Sequence, residues 1–224
     1  MTRCVGVNPQ CPSAAALDDA AAVLQDGGIV AYLTDTVYGL AVDTRRPRAI
    51  AALFALKGRS PDKAIPLIIG EPGQLSDVAL EVPRRAEPLM SAFWPGPLTL
   101  LFYPQANLPA SLLGNSERIG VRWPDSALSQ SLALRVGSAI TASSANRSGA
   151  GAARDAADVA AQLAPGVDLI LDSGDARNPQ VSTVLDVTTE PPRMLRAGRV
   201  SQAEIESVLD CRIVSDGVER GRKP

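Results

Sequence analysis

Short apolar runs of four or five residues recur along this chain, and each is separated from the next by a stretch with helical spacing. That alternation constrains the fold more than any other feature, because runs of this length bounded by turn residues form buried strands and the intervening stretches form helices. Ile29 to Leu33, Ile65 to Ile69, Leu98 to Tyr103, Ile119 to Arg122, Ser138 to Thr141, Val167 to Leu171, Thr183 to Val187 and Met194 to Arg196 read as strands. Between them, Ser13 to Asp26, Pro47 to Leu56, Pro83 to Phe93, Asp125 to Arg135, Asp155 to Leu163 and Ser201 to Asp210 read as helices. Ser13 is a cap and Gly27-Gly28 a stop for the first of these. No internal repeat and no long linker interrupts the series. The expectation is therefore one α/β domain, an open twisted sheet of mixed strand direction with flanking helices. Its predicted bounds are 13–212, with 1–12 as an N-terminal extension and 213–224 as a flexible tail.

Composition narrows the chemistry. The 224 residues are 46% hydrophobic but only 4% aromatic, so Ala, Val, Leu and Ile must build the core. Histidine is absent. That excludes a Ser-His-Asp triad, a Cys-His pair and any His-ligated metal. Proton transfers must use carboxylates, Lys, Tyr, water or the substrate. Cys4, Cys11 and Cys211 match no zinc spacing and read as reduced thiols of a cytoplasmic protein. The N-terminus has no secretory h-region and no apolar run approaches a membrane span, so no membrane partner is expected. A formal charge of −2 argues against a dedicated nucleic-acid coat protein.

Only three of the 22 basic residues are lysine, and Lys57 and Lys63 lie within seven residues of each other. In a chain that otherwise uses arginine, Lys57 stands out as a position where a compact ammonium is needed. Gly58 is expected to stop its helix, after which Lys57 and Arg59 face one anion or, in the blander alternative, decorate a helix C-terminus. Ser143 to Gly151 offers hydroxyls, an amide and backbone N–H groups. It is either a phosphate cradle or a solvated turn. Trp94-Pro-Gly-Pro97 reads as a rigid structural turn. Asp35, Asp43, Asp172 and Asp175 are candidate magnesium neighbours, although exposed carboxylates are usually only solvated. Thr34-Asp35-Thr36, Arg122, Ser143 to Asn146 and Arg196 all fall at or beyond strand ends, where open α/β sheets bind ligands.

Taken in order, LTDTVYGLAVD, LKGRSPDKAIPLII, FWPGPLTLLF, IGVRWPD, ITASSANRSG, STVLDVT and MLRAGRVS resemble the YrdC/TsaC family over about residues 15 to 210. The resemblance implies a YrdC-like fold with a concave basic substrate cleft. It also implies threonylcarbamoyl-AMP synthase activity, in which L-threonine, bicarbonate or CO2, and ATP give threonylcarbamoyl-AMP and pyrophosphate for t6A modification of tRNA. Magnesium would be held mainly through the ATP phosphates, with no dedicated protein metal site. A downstream threonylcarbamoyl transferase complex would be the partner, with a weak contact to tRNA as well.

By the same resemblance, Lys57 and Arg59 match the family's K-x-R, and Ser144 and Asn146 its S-x-N. Arg196 matches the arginine of its R-x-G, and Arg118 precedes its V-R strand. These six would bind ATP, with Lys57 and Arg59 also catalytic. Thr34, Arg122, Ala142 (through its backbone) and Ser182 would bind threonine. Two departures stand out: Leu33 replaces the proline usual before the Thr loop, and Ile65-Pro-Leu-Ile-Ile69 lacks the histidine that many members place there. The chain matches the family's short form. Two further readings stay open, a tRNA- or double-stranded-RNA-binding module and a carbamoyl-adenylate enzyme.

Overall fold

The computed structural model describes residues 1–176 and 180–215. The expected tail lies largely outside them. Twelve strands and six α-helices are described. The strands are β1 (Arg3–Gly6), β2 (Val30–Leu33), β3 (Tyr38–Ala41), β4 (Leu67–Ile68), β5 (Leu98–Phe102), β6 (Ile119–Arg122), β7 (Ile140–Thr141), β8 (Ser143–Ser144), β9 (Leu169–Asp172), β10 (Thr183–Asp186), β11 (Arg193–Arg196) and β12 (Val214–Ser215). The helices are α1 (Ala14–Gln25), α2 (Pro47–Lys57), α3 (Ala86–Phe93), α4 (Ala127–Val136), α5 (Ala156–Leu163) and α6 (Gln202–Leu209).

The strands form two mixed sheets. One runs β1-β9-β2-β3-β8 and the other β12-β11-β10-β5-β6-β4-β7. A bridge from Asp43 to Ile140 joins them. Arg3–Gly6 pairs in parallel with β9, so the first sheet begins ten residues before the expected domain start. Ile213 is buried and Val214–Ser215 pairs with β11, so the second sheet likewise reaches past residue 212.

Local chemistry explains the helix ends. Ser13, Ser126, Asp155 and Ser201 each accept a hydrogen bond from a first-turn N–H. Ser201 and Glu204 complete a capping box. Pro47 opens α2, where its missing N–H costs nothing. Gly58 ends α2 at φ 56°, a left-handed conformation that suits glycine.

Burial is divided between two apolar clusters. The larger includes Tyr38, Leu40, Ile50, Leu53, Leu100, Phe102, Val121 and Leu185. The smaller includes Leu17, Leu24, Tyr32, Leu128, Leu132 and Leu169, where α1 and α4 pack over the first sheet. Tyr32 is fully buried and its hydroxyl donates to the Thr141 carbonyl at 3.2 Å, so it is a core residue as its flanking sequence predicts. No helix among the described residues is long and apolar enough to cross a membrane.

Candidate active site

Four adjacent strands of the second sheet meet at one cavity of about 150 Å³, two with their C-terminal ends and two with their N-terminal ends. In strand order these are β11, β10, β5 and β6. They deliver Arg196, Ser182 (just before β10), Thr99 and Arg122 respectively. The first sheet contributes the other wall through Thr34, Thr36, Gly39, Ala142, Ser143 and Ser144, and Arg59 enters from beyond α2. A larger hollow of about 480 Å³ adjoins it, sharing Thr34 and Thr36 and reaching Asp35, Asp125 and Asp175.

Arg122 is buried, and its Nη1 donates to Asp35 Oδ1 at 2.6 Å. The two side chains are only 6% and 7% exposed. Asp35 Oδ2 also accepts from the Asp125 N–H at 3.3 Å. Among the described residues no other acceptor meets the Arg122 guanidinium. Sequence alone makes Asp35 a candidate magnesium neighbour, and the structure commits its carboxylate to an arginine instead. Asp43 is likewise committed, to Arg45 and Ser138. Asp172 caps the Gly174 N–H. Among the described residues no group of three potential metal ligands occurs.

Arg59 donates from Nη2 to the Ala64 carbonyl at 2.8 Å, while its Nε is buried without a partner. Burial lowers its pKa from the usual arginine value. Arg196 clamps Ser182 at two points: Nε to the carbonyl at 3.0 Å and Nη2 to Oγ at 2.9 Å. Arg196 is exposed as a whole residue, but its guanidinium lies against the cleft wall. Burial there, followed by the charge of Arg122, lowers its pKa too. Neither guanidinium has an ion-pair partner among the described residues, so each retains attraction for an anion.

Thr34 Oγ1 is the hub of its loop. It donates to the Val37 carbonyl at 2.8 Å and accepts from the Thr36 and Val37 N–H groups. The Thr36 hydroxyl lies 2.9 Å from it. The hydroxyl of Thr34 therefore shapes the cavity wall as much as it faces a ligand.

Lys57 does not line the cavity. Its side chain is buried, and Nζ donates to the carbonyls of Ser144 and, at 2.7 Å, Asn146. Burial, with a smaller contribution from Arg59, pushes its pKa down to about 8. The ammonium thus anchors the Ser144–Asn146 loop from behind. This corrects the simple picture of Lys57 and Arg59 pointing side by side at one anion: Gly58 turns the chain so that Arg59 reaches the cavity and Lys57 reaches the loop.

Asn146 also turns inward, donating from Nδ2 to the carbonyls of Arg147 and Ala150. Arg118 stands apart. It lies at the far end of β6 from Arg122, pairs with Asp186, and stacks over Tyr103 at 5.2 Å. Thus Thr34, Arg59, Arg122, Ala142, Ser144, Ser182 and Arg196 meet at the cavity, and Lys57, Asn146 and Arg118 do not line it.

Sequence reasoning passed over Thr99 and named Thr36 only as part of the Thr34–Thr36 loop. Thr99 follows the Trp94–Pro97 turn, which is tied down by Trp94 Nε1 to the Leu98 carbonyl and Gly96 N–H to the Trp123 carbonyl. That turn fixes where β5 begins, and so places Thr99. Gly198 is equally constrained. A Cβ there would fall 2.4 Å from Thr183 N and 2.5 Å from the Ser182 carbonyl carbon. Gly198→Ala is therefore expected to displace Ser182 and Arg196 together. It should destabilise by about 1–3 kcal/mol, the cost of overpacking, and reduce ligand binding at the cavity; urea unfolding and ligand titration would measure both.

The fold and the site define a class: an α/β domain that gathers arginines and hydroxyls at strand ends to hold an anionic ligand. Comparison with known proteins narrows the class. Residues 22–198 match the Sua5/YciO/YrdC family, described as telomere recombination, and the chain belongs to that family. It is 36% identical over 190 residues to a threonylcarbamoyl-AMP synthase of Pyrococcus abyssi, covering 85% of this chain and 56% of that protein. A putative threonylcarbamoyl-AMP synthase of Mycobacterium leprae is also 36% identical, with 85% and 86% covered. The structure of P. abyssi Sua5 complexed with L-threonine superposes with a TM-score of 0.88 at 33% identity, over 95% of this chain and 62% of that one. The chain thus spans 56% of its P. abyssi relative and 60% of the Bacillus subtilis synthase.

Proposed function

We propose that this chain is an L-threonylcarbamoyladenylate synthase, joining L-threonine, CO2 or bicarbonate, and ATP, with release of pyrophosphate. The observation that carries this reading is the pair of guanidinium groups, Arg59 and Arg196, that share one cavity with Arg122 and have no carboxylate partner among the described residues. Two uncompensated cations suit a polyphosphate, and an arginine held at one nitrogen by Asp35 suits an amino-acid carboxylate.

In the reaction, the threonine amine adds to CO2 and loses a proton, giving a carbamate. A carbamate oxygen attacks the α-phosphorus of ATP, the bond to the bridging oxygen breaks, and pyrophosphate leaves. Catalysis is mostly positioning and charge neutralisation, which needs no histidine. Arg122 orients the threonine carboxylate. Thr34, Ala142 and Ser182 shape the amino-acid side. Arg59, Arg196 and Ser144 face the phosphates. Lys57 and Asn146 act on the phosphate side by holding the loop that carries Ser144. Magnesium would be carried on the nucleotide phosphates, where it would offset their charge beside Arg59 and Arg196. The product would pass to a threonylcarbamoyl transfer system acting on tRNA in the cytoplasm, and a weak direct contact with tRNA belongs to the same reading.

The test is pyrophosphate release from ATP with magnesium and bicarbonate, with and without L-threonine, and with L-serine as control. Strict dependence on threonine is expected. ATP binding without any threonine dependence would overturn the assignment.

A further inference from the structure

Resting on that reading, we infer that Thr99 is a substrate-positioning residue, which with Ser182 and Arg196 presents a single hydroxyl proton to the threonine carboxylate. Thr99 is buried in the floor of the cavity and has its Oγ1 2.9 Å from Ser182 Oγ. No other partner of that hydroxyl occurs among the described residues. Each hydroxyl has one proton and two lone pairs. Arg196 Nη2 fills one lone pair of Ser182.

The two hydroxyls share two protons, and their mutual hydrogen bond uses one. If Thr99 donates to Ser182, the Ser182 proton is left over. If Ser182 donates to Thr99, the Thr99 proton is left over. Either way one donor remains, on groups that both line the cavity, and it needs an acceptor.

Topology says which acceptor. β5 lies between β10 and β6. In the β5–β6 ladder Leu100 faces Val121 and Leu101 faces Gly120, so the next pair along sets Thr99 opposite Arg122. On its other side Thr99 is level with Val184, two residues past Ser182. The spare proton therefore lies between the Arg196–Ser182 clamp and the Arg122 guanidinium. A carboxylate bridging Arg122 and this hydroxyl has both oxygens satisfied. The Trp-Pro-Gly-Pro turn, structural by itself, serves the site by starting β5 where Thr99 meets Ser182.

The experiment compares wild type with Thr99→Val, Thr99→Ser, Ser182→Ala and Thr99→Val/Ser182→Ala. Steady-state pyrophosphate release gives KM for threonine and for ATP, and calorimetry gives direct L-threonine binding. Valine keeps the branched shape and removes only the hydroxyl. Thr99→Val leaves only the Ser182 proton, no longer directed by a partner hydroxyl, and is expected to raise KM for threonine and weaken its binding by about three- to tenfold, less than the loss of a whole hydrogen bond to a charged oxygen. KM for ATP should stay within about twofold, Thr99→Ser should restore threonine affinity, and the double variant, which keeps neither hydroxyl proton, should bind threonine more weakly than either single variant. A folded Thr99→Val protein with wild-type threonine affinity, a loss confined to ATP, or a double variant that binds threonine as well as Ser182→Ala does would each overturn the inference while leaving the synthase reading in place. A wild-type protein with neither threonine binding nor threonine-dependent turnover would overturn both.

Discussion

Arg122→Met is expected to abolish threonine-dependent turnover and to destabilise the fold by about 3 kcal/mol, whereas Arg122→Met/Asp35→Asn recovers most of the stability and none of the activity. The reasoning starts from the pair itself. Arg122 and Asp35 are both nearly removed from water and are joined at 2.6 Å. Breaking a buried pair from one side leaves a buried charge without its counter-ion, which typically costs about 3–5 kcal/mol. The lower figure applies because the cavity admits water to Asp35 once the guanidinium is gone. Neutralising the orphan removes that penalty, and the amide oxygen introduced by Asp35→Asn can still accept a hydrogen bond from the Asp125 N–H that Asp35 caps. Stability and activity therefore separate. Urea midpoints measure the first and pyrophosphate release the second; at roughly 2–4 °C per kcal/mol for a chain this long, the loss is also visible as a lower Tm. A single variant as stable as wild type would mean that the pair contributes little to the fold. Activity recovered in the double variant would mean that Arg122 does not hold the substrate.

That pair also marks how far sequence reasoning reaches. Local signals were legible wherever the physics is local. The Ser13 cap, the Gly58 stop and the Ser201 box each sit within a few residues of the helix they bound. Strands were legible where they are continuous apolar runs, as in Val30–Leu33. They were missed where pairing is set from a distance. Arg3–Gly6 is exposed along most of its length and becomes a strand because Leu169–Asp172 lies beside it. Tyr38–Ala41 contains a glycine and follows the polar Thr34–Thr36 loop, yet it pairs on both sides, with β2 and with Ser143–Ser144. The site divides in the same way. Residue types at strand ends pointed to Arg122 and Arg196, and the family resemblance to Ser182. What each side chain touches was not legible, because Asp35 meets Arg122, and Lys57 meets Ser144, across 87 residues of chain.

Lys57 carries the second large effect, and it depends on pH. Burial lowers its pKa from 10.5 to about 8, while two backbone carbonyls favour the charged form. Below about pH 8 the folded protein holds an ammonium that anchors the Ser144–Asn146 loop. Above it the amine is neutral and the anchor weakens. The wild-type kcat/KM for ATP should therefore fall as pH rises through about 8, a limb that reports the free enzyme. Lys57→Met should lack this limb and be about 100-fold or more below wild type at pH 7, because two loop carbonyls lose their donor. Lys57→Arg should not rescue it, since a planar guanidinium does not fit a buried hole shaped for an ammonium.

Stability runs the other way. Between about pH 8 and 10.5 the unfolded chain keeps the Lys57 proton and the folded chain does not, so this residue's contribution to stability rises with pH across that window. The whole shift corresponds to about 3 kcal/mol. The urea midpoint of wild type relative to Lys57→Met should accordingly climb from about pH 8 to about pH 10.5 while ATP-dependent activity declines. Threonine's own amine titrates in the same region, and comparison with Lys57→Met at each pH separates the two. A wild-type profile flat from about pH 7 to about pH 10, or a methionine variant with undiminished affinity for ATP, would show that the loop holds its shape without the ammonium behind it.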